Sequence, residues 1–271
     1  MSSPAPTPLS DSQINAFRND GAAVLRGAFS PWADTLRAGI ERLMADPSPL
    51  ERSYQPQGSA PFFQDLCNWQ RIPEFRTFIE RSGIGSLAAQ LMGAREVRFF
   101  HDHVLVKEPG TSLVTPWHQD RPYYCARGPK TVSFWIPLDP VPAANALECV
   151  AGSHRWGRDH KPMRFDGTPL YAGDESTPMP DIDAARENYR ILAWDMAPGD
   201  AVAFDFGTVH GAAATVGAID RRRVFSARLV GDETTFADRG GKGSPPFSHL
   251  SLHDGDPLVG DDFPLLYPAP A

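Results

Sequence analysis

His118 and Asp120 stand two residues apart in the stretch Thr-Pro-Trp-His-Gln-Asp-Arg-Pro-Tyr-Tyr at 115–124. On an extended strand residues i and i+2 project from one face, so an imidazole and a carboxylate converge on a single point. One His and one carboxylate, completed by a second His from a distant strand, form the facial triad that holds non-haem Fe(II) and leaves coordination positions open. Among the eight histidines, His210 is the best third ligand. It follows an apolar run and lies between Gly207 and Gly211, which let a backbone approach a bound ligand closely. His101 and His103 share the two-residue spacing, but no carboxylate completes them as Asp120 completes His118. His154 sits in a Gly-Ser-His turn and reads as structural, and His160, His249 and His253 are expected to be exposed or in a lid.

A co-substrate that chelates iron through a carboxylate and a keto oxygen leaves its other carboxylate to be anchored. Arginine offers the bidentate, permanently charged partner that this needs, and lysine does not. Arg221, Arg222 and Arg223 follow His210 and open the run Val224, Phe225, Ser226. Arg222 shares its alternation parity with Val224 and Ser226, whereas Arg221 and Arg223 share the other, so one set faces inward and one outward.

Taken together, Thr115-Pro-Trp-His-Gln-Asp-x-x-Tyr, then Val132 to Asp139 (VSFWIPLD), Val150 to His154 (VAGSH), the Pro198, Gly199, Asp200 turn, His210 with Gly211, and Arg222 to Ser226 (RRVFS) resemble the phytanoyl-CoA dioxygenase family. The order is right and the match runs from the Asp20, Gly21 segment to Gly231. The resemblance implies a double-stranded β-helix (jelly roll, cupin-like) with flanking helices, and Fe(II), 2-oxoglutarate and O2 as cofactor and co-substrates. It implies that His118, Asp120 and His210 ligate iron and that Arg222 anchors 2-oxoglutarate, with Arg221 the alternative if the turn is one residue shorter. Trp135 matches an aromatic lining the co-substrate pocket, and His103 falls where the preceding strand touches it. Two positions depart from the phytanoyl-CoA hydroxylases: His103 stands where they tend to have Met, and Ala212 where they have a hydroxyl residue. Related halogenases have Ala or Gly at the carboxylate position, so Asp120 favours hydroxylation.

The implied enzyme is an oxygenase hydroxylating a C–H bond of an organic small molecule, with release of succinate and CO2. Arg121, Tyr123, Tyr124, Trp69 and Phe63 are candidate pocket residues. Two other classes compete. A zinc-dependent hydrolase could use the same three ligands with an open position but has no use for the arginine anchor. A non-catalytic jelly-roll binding protein needs no intact triad.

These residues must be placed by elements that the local sequence announces. Ser10 or Ser12 can cap a short helix that Gly21 ends. Ser30 and Pro31 open a second, carried by Trp32, Leu36, Ile40 and Leu43 at helical spacing up to Asp46 and Pro47. A helical region over 73–92 is interrupted near Gly83, with Ser86 able to restart it. Residues 62–69 carry aromatic weight without a clear period. Strands are expected over 97–107, 131–138, 147–150, 189–193, 201–206 and 224–230, which are β-branched, aromatic and bounded by Gly or Pro. The chain reads as one domain with a flexible start at 1–9, a polar insert at 155–186 over one mouth of the sheets, and a tail or lid at 234–271 whose 263–267 segment docks on the body.

Composition agrees. With 41% hydrophobic and 22% charged residues, 27 prolines and 23 glycines, the chain is that of a globular protein rich in turns. A net charge of −7 argues against nucleic-acid binding. Cys67, Cys125 and Cys149 suggest buried thiols, not a disulfide framework or zinc site. Without a signal-peptide pattern or a membrane-length apolar run, a cytoplasmic protein with a small-molecule substrate is expected.

Overall fold

Ser10 nucleates the first helix. Its side chain accepts from the backbone N–H of Gln13 while the Gln13 side chain accepts from that of Ser10, a reciprocal cap that opens α1 (Asp11–Asp20). Gly21, at φ 78°, closes it. The computed structural model describes residues 7–163, 168–171, 176–214, 221–240 and 243–269, so most of the start expected to be flexible lies outside the described residues. After β1 (Ala22–Leu25) a 3-10 turn, Ser30–Trp32, leads into α2 (Ala33–Ala45). Ser30 is not the cap expected of it: its hydroxyl donates to the Pro198 carbonyl at 3.3 Å instead. Gly83, at φ 74°, separates α3 (Pro73–Arg81) from α4 (Ile84–Met92), which resumes two residues before Ser86.

Between these helices the aperiodic aromatic segment is a strand, β2 (Phe62–Leu66), with all five residues buried. A strand covered on both faces loses the polar alternation by which it would be recognised. The others are β3 (Val97–Lys107), β4 (Thr115–His118), β5 (Ala126–Arg127), β6 (Thr131–Pro137), β7 (Leu147–Val150), β8 (Ile191–Leu192), β9 (Ala201–Phe204), β10 (His210–Ala212), β11 (Arg222–Gly231), β12 (Thr235–Phe236) and β13 (Leu265–Tyr267).

All pairings in the larger sheets are antiparallel. Seven strands run β1-β9-β6-β11-β3-β13, with β2 also on β3, and four run β4-β10-β7-β8. One face of the larger sheet carries Phe99, Val104, Val106, Phe134, Phe225 and Ala227 into a core shared with Leu36 and Ile40 of α2, Phe75 and Phe78 of α3 and Leu87 of α4. Its opposite face meets the smaller sheet through Trp135, Val202, Phe204 and Val224 against Leu147 and Cys149. The fold is therefore mainly β, a jelly roll with helices outside.

The tail docks by two means. Phe263 is buried with Phe100, Phe206 and Phe247, and β13 adds to the edge of β3 at Val97 and Arg98. In the 155–186 segment, His160 donates its backbone N–H to Gln119 Oε1 at 2.9 Å, and Met163 exchanges backbone hydrogen bonds with the Tyr123 hydroxyl. Those contacts lay residues 160–163 along residues 119–123, beside His118.

Candidate metal centre

β4 and β10 are neighbours in the smaller sheet, and His118 and His210 are cross-strand partners in their register. Their rings lie 4.2 Å apart between centroids. Each ring is oriented by its own backbone: His118 Nδ1 lies 2.7 Å from the Pro116 carbonyl and His210 Nδ1 2.9 Å from that of Thr208. With Nδ1 protonated toward a carbonyl, Nε2 keeps its lone pair for a ligand. Both Nε2 atoms stand 3.8 Å from Asp120 Oδ1, and one ligand atom from each residue falls within 4.8 Å of the others. Two imidazoles and one carboxylate so arranged could hold a first-row metal on one side and leave the other open.

Asp120 reaches this point by a route the strand argument did not contain. β4 ends at His118, and the chain turns out of the sheet where Gln119 donates to the Gly207 carbonyl at 2.9 Å and the Arg121 N–H to that of Phe206 at 2.8 Å. Ser133 Oγ then donates to Asp120 Oδ2 at 3.0 Å, with Arg228 Nε 4.0 Å from the same oxygen. The Tyr124 hydroxyl also bonds to Asp120 and accepts from Arg228 Nε at 2.8 Å. Oδ2 is thus tied back while Oδ1 faces the histidines. Burial alone would push this carboxyl up, but its interactions with His210, Arg228 and His118 outweigh burial and hold it below its ordinary value. Burial, followed by the His118 charge, lowers His210 to about 3, so the ring is neutral and able to ligate at neutral pH.

Further along the same interior, Arg222 on β11 is buried at 3% exposure, with its guanidinium over the Trp135 ring at 5.9 Å and a hydrogen bond to the Asn145 carbonyl. Burial brings it down to about 10, still a cation. Arg221 is corrected by its neighbours. It faces outward and forms ion pairs with Glu41 at 2.9 Å and Glu108 at 2.8 Å, so it does not reach the interior. Arg223 is likewise taken by Asp139 and Glu41. His103 is cross-strand to Ser226 on the inward face, half-buried, its pKa held well below the ordinary value by burial and by Arg228.

Three polar atoms around this point, Gln64 Nε2, His103 Nε2 and Ser226 Oγ, are buried and find no hydrogen-bond partner among the described residues. Leaving such atoms unpaired is costly. Together with Arg222 they form a polar interior that suits a 2-oxo dicarboxylate extending from a metal at the triad, and the residues present fit that group.

The expected pocket residues divide. Tyr123 places its ring 5.8 Å from that of His118, at the open side of the triad. Arg121 sits nearby but is held by Asp159 of the insert at 2.6 Å. Tyr124 belongs behind Asp120, where its hydroxyl is used as described and its ring packs against Phe100, His101 and Phe206. Phe63 and Trp69 are also corrected: both lie in the core on the helical side of the larger sheet, with Trp69 edge-on to Phe99. Phe63 pairs with Val106 and shares its outward parity. His160, expected to be exposed or in a lid, is buried. Gly211 answers to packing: a Cβ there would lie 3.1 Å from the Thr115 carbonyl and 3.2 Å from Trp117.

Sequence reasoning missed Ser133 and Arg228 as supports of Asp120, and Gln64. Of these Ser133 carried a signal, a polar residue at the inward parity of the apolar run 132–136, whereas Arg228 is one of several polar residues at the inward parity of β11, with Arg222 and Ser226.

The family profile described as Phytanoyl-CoA dioxygenase (PhyH) matches residues 17–224. Among solved structures, the non-heme alpha ketoglutarate dependent carbocyclase SnoK from nogalamycin biosynthesis is similar, at 23% identity over 97% of this chain and 100% of that one, with a TM-score of 0.75. The epimerase SnoN in complex with Fe3+, alpha ketoglutarate and nogalamycin RO gives 22% identity, 94% and 98% coverage, and a TM-score of 0.76. EctD from S. alaskensis with 2-oxoglutarate and 5-hydroxyectoine gives 19%, 93% and 86%, and 0.68. At these identities the likeness is one of fold. No curated protein matches the sequence.

Proposed function

The chain belongs to the phytanoyl-CoA dioxygenase family, and from that premise we propose that it hydroxylates a C–H bond of an organic small molecule. Iron and 2-oxoglutarate are its cofactors. His118, Asp120 and His210 would hold the metal, and Arg222 would pair with the distal carboxylate of 2-oxoglutarate beside Trp135. When bound, iron with 2-oxoglutarate and O2 supplies the oxidising power, the co-substrate leaving as succinate and CO2.

The chain's own residues position and exclude. The two Nδ1 contacts to carbonyls fix the ligand faces of the imidazoles, and Ser133, Tyr124 and Arg228 keep Asp120 from swinging away. Apolar side chains between the sheets limit water around Arg222, which strengthens its attraction for a carboxylate. The organic substrate would enter on the Tyr123 side, beside residues 159–163. Asp120 occupies the position a halide would need, which supports oxygen transfer over halogenation.

The observation that carries this reading is the buried Arg222 on the same interior as the triad, without an ion-pair partner among the described residues. A zinc hydrolase has no use for it. Anaerobic titration with Fe(II) and 2-oxoglutarate tests the assignment by the visible charge-transfer band of the chelate. The wild-type chain should develop the band, and Asp120→Ala and His210→Ala should not; iron uptake without a band would overturn the reading. Turnover under labelled O2 then separates hydroxylation, which places the label in the product, from epimerisation or ring closure, which do not.

A further inference from the structure

Lys107 is fully buried. Its Nζ donates to the carbonyls of Leu113 at 2.6 Å and Ala213 at 3.1 Å and stands 5.0 Å from the Phe62 ring centroid. Among the described residues no carboxylate lies within ion-pair distance of it. Directly across the β3–β11 pairing is Arg222, the other buried cation with no acidic partner there. Cross-strand partners share a face and lie within about 5.5 Å at Cβ, where like charges repel. Acids are not scarce nearby: Glu41, Glu108 and Asp139 serve Arg221 and Arg223 on the outward face. On the inward one, among the described residues, Asp120 pairs with Arg228 and the histidines, and no acid pairs with Lys107 or Arg222.

Two cations facing one apolar interior are costly unless an anion joins them. Burial, and then the Arg222 charge, push the Lys107 amine down to about 6. Among the described residues, β11 presents Arg222 to this amine and β2 presents Phe62, while the loops present only carbonyls. An arriving carboxylate would offset both burial and repulsion, and the amine would take up a proton from solvent.

We propose that Lys107 is a second positioning residue for the distal carboxylate of the co-substrate, beside Arg222, and that the pair makes the site select a dicarboxylate 2-oxo acid over a monocarboxylate one. The proposal rests on the dioxygenase reading of the site. Its test is a pair of anaerobic titrations of the Fe(II)-loaded protein, one with 2-oxoglutarate and one with 2-oxovalerate, which lacks the distal carboxylate. Both are followed by the charge-transfer band and by calorimetry. Lys107→Met should weaken 2-oxoglutarate by about ten- to a hundredfold and leave 2-oxovalerate nearly unchanged, so that selectivity collapses. A lysine that merely fills space would weaken both ligands alike, and that outcome overturns the proposal, as does no effect on either. Calorimetry of the wild-type protein in buffers of different ionisation heat stands apart from any folding defect in the variant. Near neutral pH, 2-oxoglutarate should bind with proton uptake and 2-oxovalerate without it; no uptake with 2-oxoglutarate counts against the proposal. If wild type binds no 2-oxoglutarate, the dioxygenase reading falls and this proposal with it, whereas binding indifferent to Lys107→Met sinks this proposal alone.

Discussion

Three consecutive arginines meet two different environments because a strand alternates. Arg221 and Arg223 meet acids of α2 and the neighbouring loops, and Arg222 meets Trp135. Removing the inward one therefore has a different consequence from removing either neighbour. Arg222→Ala should raise the apparent constant for 2-oxoglutarate by roughly ten- to a hundredfold, the loss of a charge-assisted contact of about 1.5–3 kcal/mol, with iron binding nearly intact. Arg221→Ala and Arg223→Ala should leave that constant almost unchanged, since surface ion pairs of their kind contribute at most about 1 kcal/mol to stability. Measuring 2-oxoglutarate dependence for all three decides it, and a large effect confined to Arg221 or Arg223 would move the anchor to the other face.

At the scale of elements, β3 works on both faces. Inward it presents His103 and Lys107. Outward, Asp102 accepts the backbone N–H groups of Asn68, at 2.9 Å, and Trp69, at 2.8 Å, and so ties the turn after β2 to the sheet. Burial raises the Asp102 carboxyl to about 6, above the ordinary carboxylate value near ~4 expected of the unfolded chain. For an acid raised in this way, the folded state binds the proton more tightly than the unfolded one. The favourable contribution is present below about pH 4 and is lost as pH rises toward about 6. Asp102→Asn removes this dependence. In denaturant unfolding of metal-free protein, the variant should gain on wild type by on the order of 2–3 kcal/mol between those two pH values and hold that difference above them. A wild-type minus variant difference that stays flat with pH would remove Asp102 from this role.

Across the whole molecule, the positive side chains that matter are spent inside or in local pairs, and the chain keeps a net charge of −7. That balance argues against a basic surface able to neutralise a phosphate backbone. Titration with labelled DNA or RNA at physiological ionic strength should show no submicromolar, salt-sensitive complex; finding one would require a basic face that the charge balance argues against. Among the described residues no helix is long and apolar enough to cross a membrane. The two sheets thus do one thing at this scale, bringing residues ninety positions apart in the chain to a single point between them.

The grouping of His118, Asp120 and His210 was legible because residue type and motif spacing are local properties, and so were the bounds of β3, whose β-branched run needs no tertiary context to be recognised. The cap at Ser10 and the break at Gly83 were local in the same way. Alternation along β11 likewise sorted Arg222 from its neighbours. It sorted them into two sets, however, and could not say which face was inside. That was decided by the helices covering one side of the larger sheet, which also drew Phe63 and Trp69 away from the site and hid β2 by burying both its faces. Tyr124 passed from pocket wall to support of Asp120 because the chain leaves β4 at His118 and turns, a path set by bonds to Phe206 and Gly207 far along the sequence. Lys107 reads locally as the polar end of a strand. Only the pairing of β3 with β11 places it beside a buried arginine, because what a charge means depends on which other charges share its low-dielectric surroundings.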